Sequence, residues 1–174
     1  VCRLFLEPGD RVTGIGPCYA EFASDVGMWG AEYDFVPLRP ENRFRFDPEE
    51  MLAHIGQHHK LVYIDSPNNP TGQAIPLADI RRVVALAAQL SIPVIIDEAY
   101  GDYLPREESA IGLTDTFENL VVLRSFSKAH GLAGIRAGYG LLPPQLTVPL
   151  ATLPHPYISS CPPPPVPPAT LAHT

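Results

Sequence analysis

Three short segments of this sequence carry side chains whose types and spacing could do chemistry together. They are residues 69–72 (NPTG), 97–100 (DEAY) and 125–128 (SFSK), and Arg136 follows the lysine of the third segment. A lysine amine can bond covalently to a carbonyl group, and serine hydroxyls beside an arginine suit a phosphate group. Each segment alone has an ordinary structural explanation, as a turn, a strand-end cap or a solvated lysine. Their occurrence in one chain, in this order, indicates a single site.

The elements between these segments indicate how they are positioned. Short apolar stretches typical of strands occur at residues 11–15, 33–38, 61–65, 93–96 and 120–123. Helical spacing alternates with them at residues 19–29, where Phe22, Val26 and Trp29 should face the core, and at residues 77–90. This alternation predicts an α/β fold of three layers, a mainly parallel sheet with helices on both faces. Ligands of such sheets bind beyond the carboxyl ends of the strands, which is where the three segments lie.

Taken together, the three segments resemble the aspartate-aminotransferase-like family of pyridoxal-phosphate enzymes, the fold type I or class I and II aminotransferases. Residues 125–139 (SFSKAHGLAGIRAGY) are most similar to the histidinol-phosphate aminotransferase branch of that family. Residues 17–19 (PCY) resemble a family motif whose aromatic ring stacks on the cofactor. The resemblance extends over about residues 1–160 and stops after Cys161.

The resemblance implies a role for each of eight residues toward pyridoxal 5′-phosphate. Lys128 would hold the aldehyde of the cofactor as a Schiff base and later move a proton. Asp97 would pair with the pyridine nitrogen and keep it protonated, so that the ring accepts electrons from the substrate. Tyr100 and Asn69 would hydrogen-bond the phenolic oxygen of the ring. The remaining four are Tyr19, which would stack on the ring, and the phosphate ligands Ser125, Ser127 and Arg136.

The activity that the resemblance implies is transfer of an amino group from an L-amino acid to a 2-oxo acid, in a cytoplasmic homodimer. A threonine-phosphate-type decarboxylase would fit the same motifs, because residues that contact the substrate carboxylate decide which bond breaks. The family places its carboxylate-binding arginine near the C-terminus, and this chain ends before it. A non-catalytic remnant or binding module is a third alternative, since an upstream phosphate-binding loop and a small C-terminal domain are not found in the sequence.

The composition disfavours several other classes of protein. A net charge of −7, from 12 Lys+Arg against 19 Asp+Glu, opposes binding to nucleic acid. No apolar run is long enough to suggest a membrane span. Cys2, Cys18 and Cys161 are odd in number and widely spaced, which favours a reducing, cytoplasmic compartment over a disulfide framework. The histidines of residues 54–59 have no carboxylate or cysteine at ligand spacing, so no metal site is predicted.

The prolines divide the chain into two parts. Ten of the 21 prolines fall in residues 1–142 and eleven in residues 143–174, and no charged Asp, Glu, Lys or Arg follows Arg136. We therefore predict part of a cofactor-binding large domain at residues 1–142 and an uncharged, irregular tail at residues 143–174. Because Val1 is not a methionine and begins an apolar pattern without a cap, we expect an incomplete chain that folds poorly and is inactive alone.

Overall fold

The computed structural model describes residues 2–146, which form one six-stranded sheet and four α-helices. The strands are β1 (Arg11–Gly16), β2 (Glu32–Pro37), β3 (Leu61–Asp65), β4 (Val94–Asp97), β5 (Leu120–Ser125) and β6 (Gly138–Leu141). The helices are α1 (Cys2–Phe5), α2 (Ala20–Met28), α3 (Pro48–His54) and α4 (Leu77–Gln89). The predicted strands and helices are confirmed, with small shifts at their ends. β6 was missed, because its glycine-rich sequence lacks the branched residues that favour strands.

The sheet has the order β2-β1-β3-β4-β5-β6. The first five strands are parallel to one another, and β6 runs antiparallel to β5. Asp65 and Asp97 are direct partners at the ends of β3 and β4, and Ser125 ends β5 beside Gly138. The carboxyl ends of the central strands therefore meet at one edge, and the loops that follow them converge there.

Alternate residues of the strands fill two cores, one on each face of the sheet. On one face, Ile64 and Ile96 belong to a cluster that includes Met51 of α3 and Val83 of α4. On the other face, the strand residues Val12, Leu61, Tyr63, Ile95 and Val121 pack with residues of α1 and α2. Helices thus cover both faces, which confirms the three-layer α/β prediction.

The prediction that Trp29 belongs to the core is wrong, whereas Phe22 and Val26 are buried as expected. Helix α2 ends at Met28, and the chain turns away through Gly30, whose φ is +71°. Trp29 therefore lies in the cap of the helix and keeps 38% of its surface exposed. Its ring lies 5.9 Å from the guanidinium of Arg3, a cation–π contact.

The boundary predicted at residue 142 falls within packed structure. Leu142 and Leu146 are both partly buried against the core that contains α1 and α2. The rest of the predicted tail, residues 147–174, lies outside the described residues, as does Cys161. Within residues 2–146, no helix is long and apolar enough to cross a membrane.

Candidate functional site

A cleft at the carboxyl ends of β1, β3, β4 and β5 contains every site residue that the sequence predicts. The eight that line it are Tyr19, Asn69, Asp97, Tyr100, Ser125, Ser127, Lys128 and Arg136. Its lining also includes Asp65, Pro67 and Ala99, which the sequence analysis did not select. Parallel pairing explains the convergence, because it aligns the ends of strands that are far apart in sequence.

Asp97 is the last residue of β4 and presents a carboxylate to this cleft. One of its oxygens accepts a hydrogen bond from the Ala99 amide at 2.9 Å, and the other accepts one from the Tyr63 hydroxyl at 3.0 Å. Burial raises the pKa of Asp97, although these hydrogen bonds and the charge of Lys128 act in the opposite direction. Within residues 2–146, no cationic group lies within 4.0 Å of this carboxylate.

Lys128 follows β5 in a turn that its neighbours stabilise. The Ser127 amide donates to the Ser125 hydroxyl at 3.0 Å, and the Gly131 amide donates to the Lys128 carbonyl at 3.0 Å. The side chain is exposed in the cleft, with Nζ 5.0 Å from the centre of the Tyr100 ring. The amine can therefore reach a ligand beside Asp97, and its cation–π contact with Tyr100 does not block it.

Ser125, Ser127 and Arg136 bring hydroxyl and guanidinium donors to the same cleft. Arg136 has a left-handed backbone, with φ of 56°, just before β6 begins. Its side chain is exposed and donates to the Ala133 carbonyl at 3.4 Å, which leaves most of its donors for a ligand. Two hydroxyls and an arginine fork can bind a phosphate group.

Tyr19 and Asn69 enter the cleft from two loops, and Asp65 contacts both. Oδ2 of Asp65 accepts from the Tyr19 amide at 3.1 Å and from the Asn69 amide at 2.9 Å. Asp65 is buried, and this burial raises its pKa against the lowering effect of the hydrogen bonds that it accepts. The sequence analysis assigned Asp65 only to the end of a strand, because its partners lie in loops whose positions the sequence does not reveal.

A second group that the sequence analysis missed lies behind the cleft. Arg124 of β5 contacts Glu98 at 3.0 Å, Asp102 at 2.6 Å and the Ser109 hydroxyl at 3.1 Å. Glu98 also accepts from Ser109 at 2.7 Å and from the Ala110 amide. Glu98 directly follows Asp97, and Arg124 directly precedes Ser125. This network therefore joins the ends of β4 and β5.

A cluster of histidines contains a carboxylate that the sequence analysis did not find. Oxygens of Asp34, on β2, lie 3.4 Å from Nε2 of His54 and 3.5 Å from Nε2 of His59. Spacing in the sequence does not reveal this carboxylate, since Asp34 is 20 residues before His54 and the fold brings the two together. The ligand atoms of Asp34, His58 and His59 lie within 4.8 Å of one another.

The hydrogen bonds of this cluster favour an ion-pair arrangement over a metal site. Nδ1 of the buried His59 accepts from the Gly56 amide at 3.1 Å, which places the ring proton on Nε2 in the neutral form. Nε2 is the nitrogen that faces Asp34, and a protonated nitrogen does not bind a metal. Arg11 already forms an ion pair with the same carboxylate.

Comparisons with known proteins agree on one family. The family model described as aminotransferase class I and II matches residues 1–174. The histidinol-phosphate aminotransferase of Halorubrum lacusprofundi is 39% identical over 141 residues, which are 81% of this chain and 38% of that protein. The histidinol-phosphate aminotransferase of Methanosarcina mazei is 36% identical over 147 residues, 84% of this chain and 38% of that protein.

Solved structures show the same fold. The histidinol-phosphate aminotransferase from Clostridium acetobutylicum has a TM-score of 0.77 at 26% identity, covering 85% of this chain and 44% of that one. An aspartate aminotransferase from Thermus thermophilus, solved with maleate, has a TM-score of 0.77 at 27% identity. The match covers 86% of this chain and 39% of that one. The chain therefore spans less than half the length of the relatives that it matches.

Proposed function

This chain belongs to the aminotransferase class I and II family, and from that premise we propose that it forms the cofactor-binding part of a pyridoxal-phosphate-dependent aminotransferase. The observation that carries the proposal is one cleft in which eight residues from strand ends and the loops that follow them converge. Their donors and acceptors are those that pyridoxal phosphate requires: an amine, a carboxylate, an aromatic ring and a phosphate site.

The half-buried Asp97 supports this fit most directly. Its carboxylate faces the cleft, its pKa is raised by burial, and within the described part of the chain it has no cation in contact. A protonated pyridine nitrogen would supply the missing positive charge, because an unpaired charge in a buried position is costly. When bound, pyridoxal phosphate supplies an electron sink for the carbanion at the substrate α-carbon.

The protein's own side chains then have distinct tasks. We assign Lys128 to the covalent attachment of the cofactor, and its Nζ to moving the proton at the substrate α-carbon. Asp97 keeps the proton on the pyridine nitrogen, while Tyr100 and Asn69 donate to the phenolic oxygen. Tyr19 covers one face of the ring and fixes its orientation.

Ser125, Ser127 and Arg136 complete the assignment by anchoring the phosphate group. Both hydroxyls and the guanidinium lie on the wall of the cleft that carries Lys128. Charge-assisted bonds to a dianion are stronger than neutral ones, so this wall would contribute most of the binding energy. Anchoring the phosphate also fixes the distance between the cofactor aldehyde and Nζ of Lys128.

The amino donor that we propose is histidinol-phosphate-like, with a 2-oxo acid as the acceptor. The support is the identity of 36–39% to the two histidinol-phosphate aminotransferases above. We also propose a homodimer, as the family resemblance implies, and a cytoplasmic location. Free thiols at Cys2 and Cys18 support a reducing compartment, and burial raises the pKa of Cys18 to about 11, which keeps it protonated.

Borohydride trapping tests the proposal. The full-length enzyme that contains this chain is incubated with pyridoxal phosphate, reduced with borohydride and digested, and the modified lysine is located by mass spectrometry. We expect the label on Lys128, its loss together with turnover in Lys128→Ala, and normal labelling in the control Lys60→Ala. A label on Lys60 would contradict the assignment. With a histidinol-phosphate-like donor, formation of a ketone from the donor and of an amino acid from the 2-oxo acid acceptor identifies an aminotransferase. Release of CO2 from an amino-acid substrate, with no amino group passed to the acceptor, would identify a decarboxylase instead.

A further inference from the structure

Asp65 accepts hydrogen bonds from both loops that carry cofactor-facing residues into the cleft. It is 3% exposed, at the end of β3. Oδ2 accepts from the amides of Tyr19, at 3.1 Å, and Asn69, at 2.9 Å. Oδ1 accepts from Nδ2 of Asn68 at 2.9 Å. Three donors therefore converge on one carboxylate, and they compensate its burial without a salt bridge within residues 2–146.

Asn68 forms further hydrogen bonds with both of these loops. Its Nδ2 also donates to the Pro17 carbonyl at 2.9 Å, so it joins the loop that contains Tyr19. Its Oδ1 accepts from the amide and the hydroxyl of Thr71, which closes the loop that contains Asn69. Asn68 is buried and its amide group uses both its donor and acceptor sides. Asp65 and Asn68 thus form one hydrogen-bonded unit between the two loops.

We infer that Asp65 is a positioning residue, which holds Tyr19 and Asn69 in register with each other on the cofactor. The inference deepens the proposed function and rests on it. Tyr19 is 40% exposed, and the hydrogen bond from its amide to Asp65 fixes the backbone from which its ring projects. The Asn69 amide is fixed by the same oxygen, and therefore the two residues cannot shift independently.

A carboxylate suits this position better than the isosteric amide. An asparagine at residue 65 could turn its oxygen toward the amides of Tyr19 and Asn69, but its NH2 group would then face the NH2 group of Asn68. The opposite orientation satisfies Asn68 and sets the NH2 group against two backbone N–H donors. Either orientation leaves donors facing each other in a buried place, which is unfavourable.

The test measures cofactor binding in the full-length enzyme. Pyridoxal phosphate is titrated by absorbance, and the visible circular dichroism of the bound cofactor reports how rigidly its surroundings hold it. Loss of a charge-assisted hydrogen bond predicts that Asp65→Asn weakens cofactor affinity by about 10- to 100-fold. The dichroism per bound cofactor should also fall. Asp79→Asn, which changes a carboxylate of α4 that does not line the cleft, should leave both quantities unchanged.

A double variant separates a positioning role from general destabilisation. In Asp65→Asn with Asn68→Asp, the NH2 group of residue 65 can donate to the new carboxylate, while its oxygen accepts the amides of Tyr19 and Asn69. The contact to the Pro17 carbonyl is lost, so we expect partial recovery of affinity and of dichroism. Thermal unfolding without cofactor is measured in parallel.

The outcomes distinguish this inference from the proposed function. If the wild-type enzyme binds no pyridoxal phosphate, the proposed function is wrong and the inference falls with it. If the wild-type enzyme binds the cofactor and Asp65→Asn shows wild-type affinity and dichroism, the inference alone is wrong. It is also overturned if Asp65→Asn only lowers the melting temperature while the dichroism per bound cofactor stays at the wild-type value.

Discussion

Among single residues, Asp97 combines a proposed catalytic role with an unfavourable effect on the stability of the fold. Burial raises its pKa, which means that the folded chain without cofactor resists its ionisation. The same placement is what makes the carboxylate a strong partner for a cationic ring. The Tyr63 hydroxyl and the Ala99 amide hold it in orientation.

Asp97→Asn should separate these two effects. In the full-length enzyme we expect transamination to fall by several orders of magnitude, each tenfold loss being about 1.4 kcal/mol, while cofactor binding weakens much less. In the chain without cofactor, the variant should be more stable than wild type at neutral pH. The asparagine fits because the Tyr63 hydroxyl can accept a hydrogen bond from it as well as donate one.

The pH dependence of this difference follows from the raised pKa. A carboxyl group whose pKa is higher in the folded state contributes stability that is complete below its unfolded pKa and is lost as the pH rises through the folded pKa. Wild type should therefore lose stability relative to Asp97→Asn from about pH 3.8 upward, until the folded carboxyl is ionised. Urea unfolding between pH 4 and pH 8 measures this, and parallel profiles for the two proteins would contradict it.

At the scale of elements, the ends of β4 and β5 are joined by the ion-pair network of Arg124. The side chain of Arg124 is 9% exposed and that of Glu98 is 1% exposed, so the pair is screened from water. Gly101 allows the close approach, because a Cβ there would lie 2.8 Å from both the guanidinium carbon of Arg124 and Cβ of Glu98. Asp97 and Ser125 lie next to this network in the chain, so the network sets the spacing of two walls of the cleft.

Arg124→Met should destabilise the fold strongly. Removing one partner leaves the buried carboxylate of Glu98 uncompensated, at an expected cost of about 3 to 5 kcal/mol in the free energy of unfolding. Arg82→Met is the matched control, because Arg82 pairs with Glu49 and Asp79 on the surface with 45% of its side chain exposed. The control should cost about 1 kcal/mol or less. Urea denaturation compares them, and equal losses would show that the Arg124 network is no more important than a surface pair.

The sequence predicted those features of the elements that depend on local pattern. Apolar runs located β3 and β4. Asp47 caps α3 by accepting hydrogen bonds from the amides of Glu49 and Glu50, a contact between near neighbours in the chain. The residues proposed for the site could be selected from the sequence because each lies at a strand end or in the loop that follows one. The sequence did not reveal the contacts of three residues whose partners are distant in the chain and are brought near by the fold. These residues are Asp34, Asp65 and Arg124. Trp29 was misassigned because helical spacing does not reveal where the helix stops.

At the scale of the whole molecule, the cleft formed by residues 2–146 is open to water along the side that carries Lys128 within this range. Lys128 and Arg136 are exposed, and Tyr19 is 40% exposed. The matched relatives are more than twice as long as the segment that this chain shares with them, and in them further chain is available to cover such a cleft. In a water-filled cleft the reacting groups are oriented less well, and the electrostatic interactions that assist catalysis are weaker.

We therefore expect the 174-residue chain by itself to form the borohydride-trapped adduct on Lys128 but to turn over poorly. Its kcat/KM with a histidinol-phosphate-like donor and a 2-oxo acid acceptor should lie at least about a hundredfold below that of the full-length enzyme, because positioning is incomplete. Steady-state assays at saturating pyridoxal phosphate, together with the molecular mass in solution, measure this. Sustained turnover by the monomeric chain would contradict the expectation.

The parallel order of the sheet also has a kinetic consequence. Val12 pairs with Leu61, and Val62 pairs with Val94, so each of these contacts closes a long loop. Such a high contact order places the expected folding time in the range of milliseconds to seconds, because loop-closure entropy must be overcome before the contacts stabilise anything. Every wall of the cleft begins where one of these strands ends. The cleft therefore forms late in folding, after the registers of β3, β4 and β5 have been established.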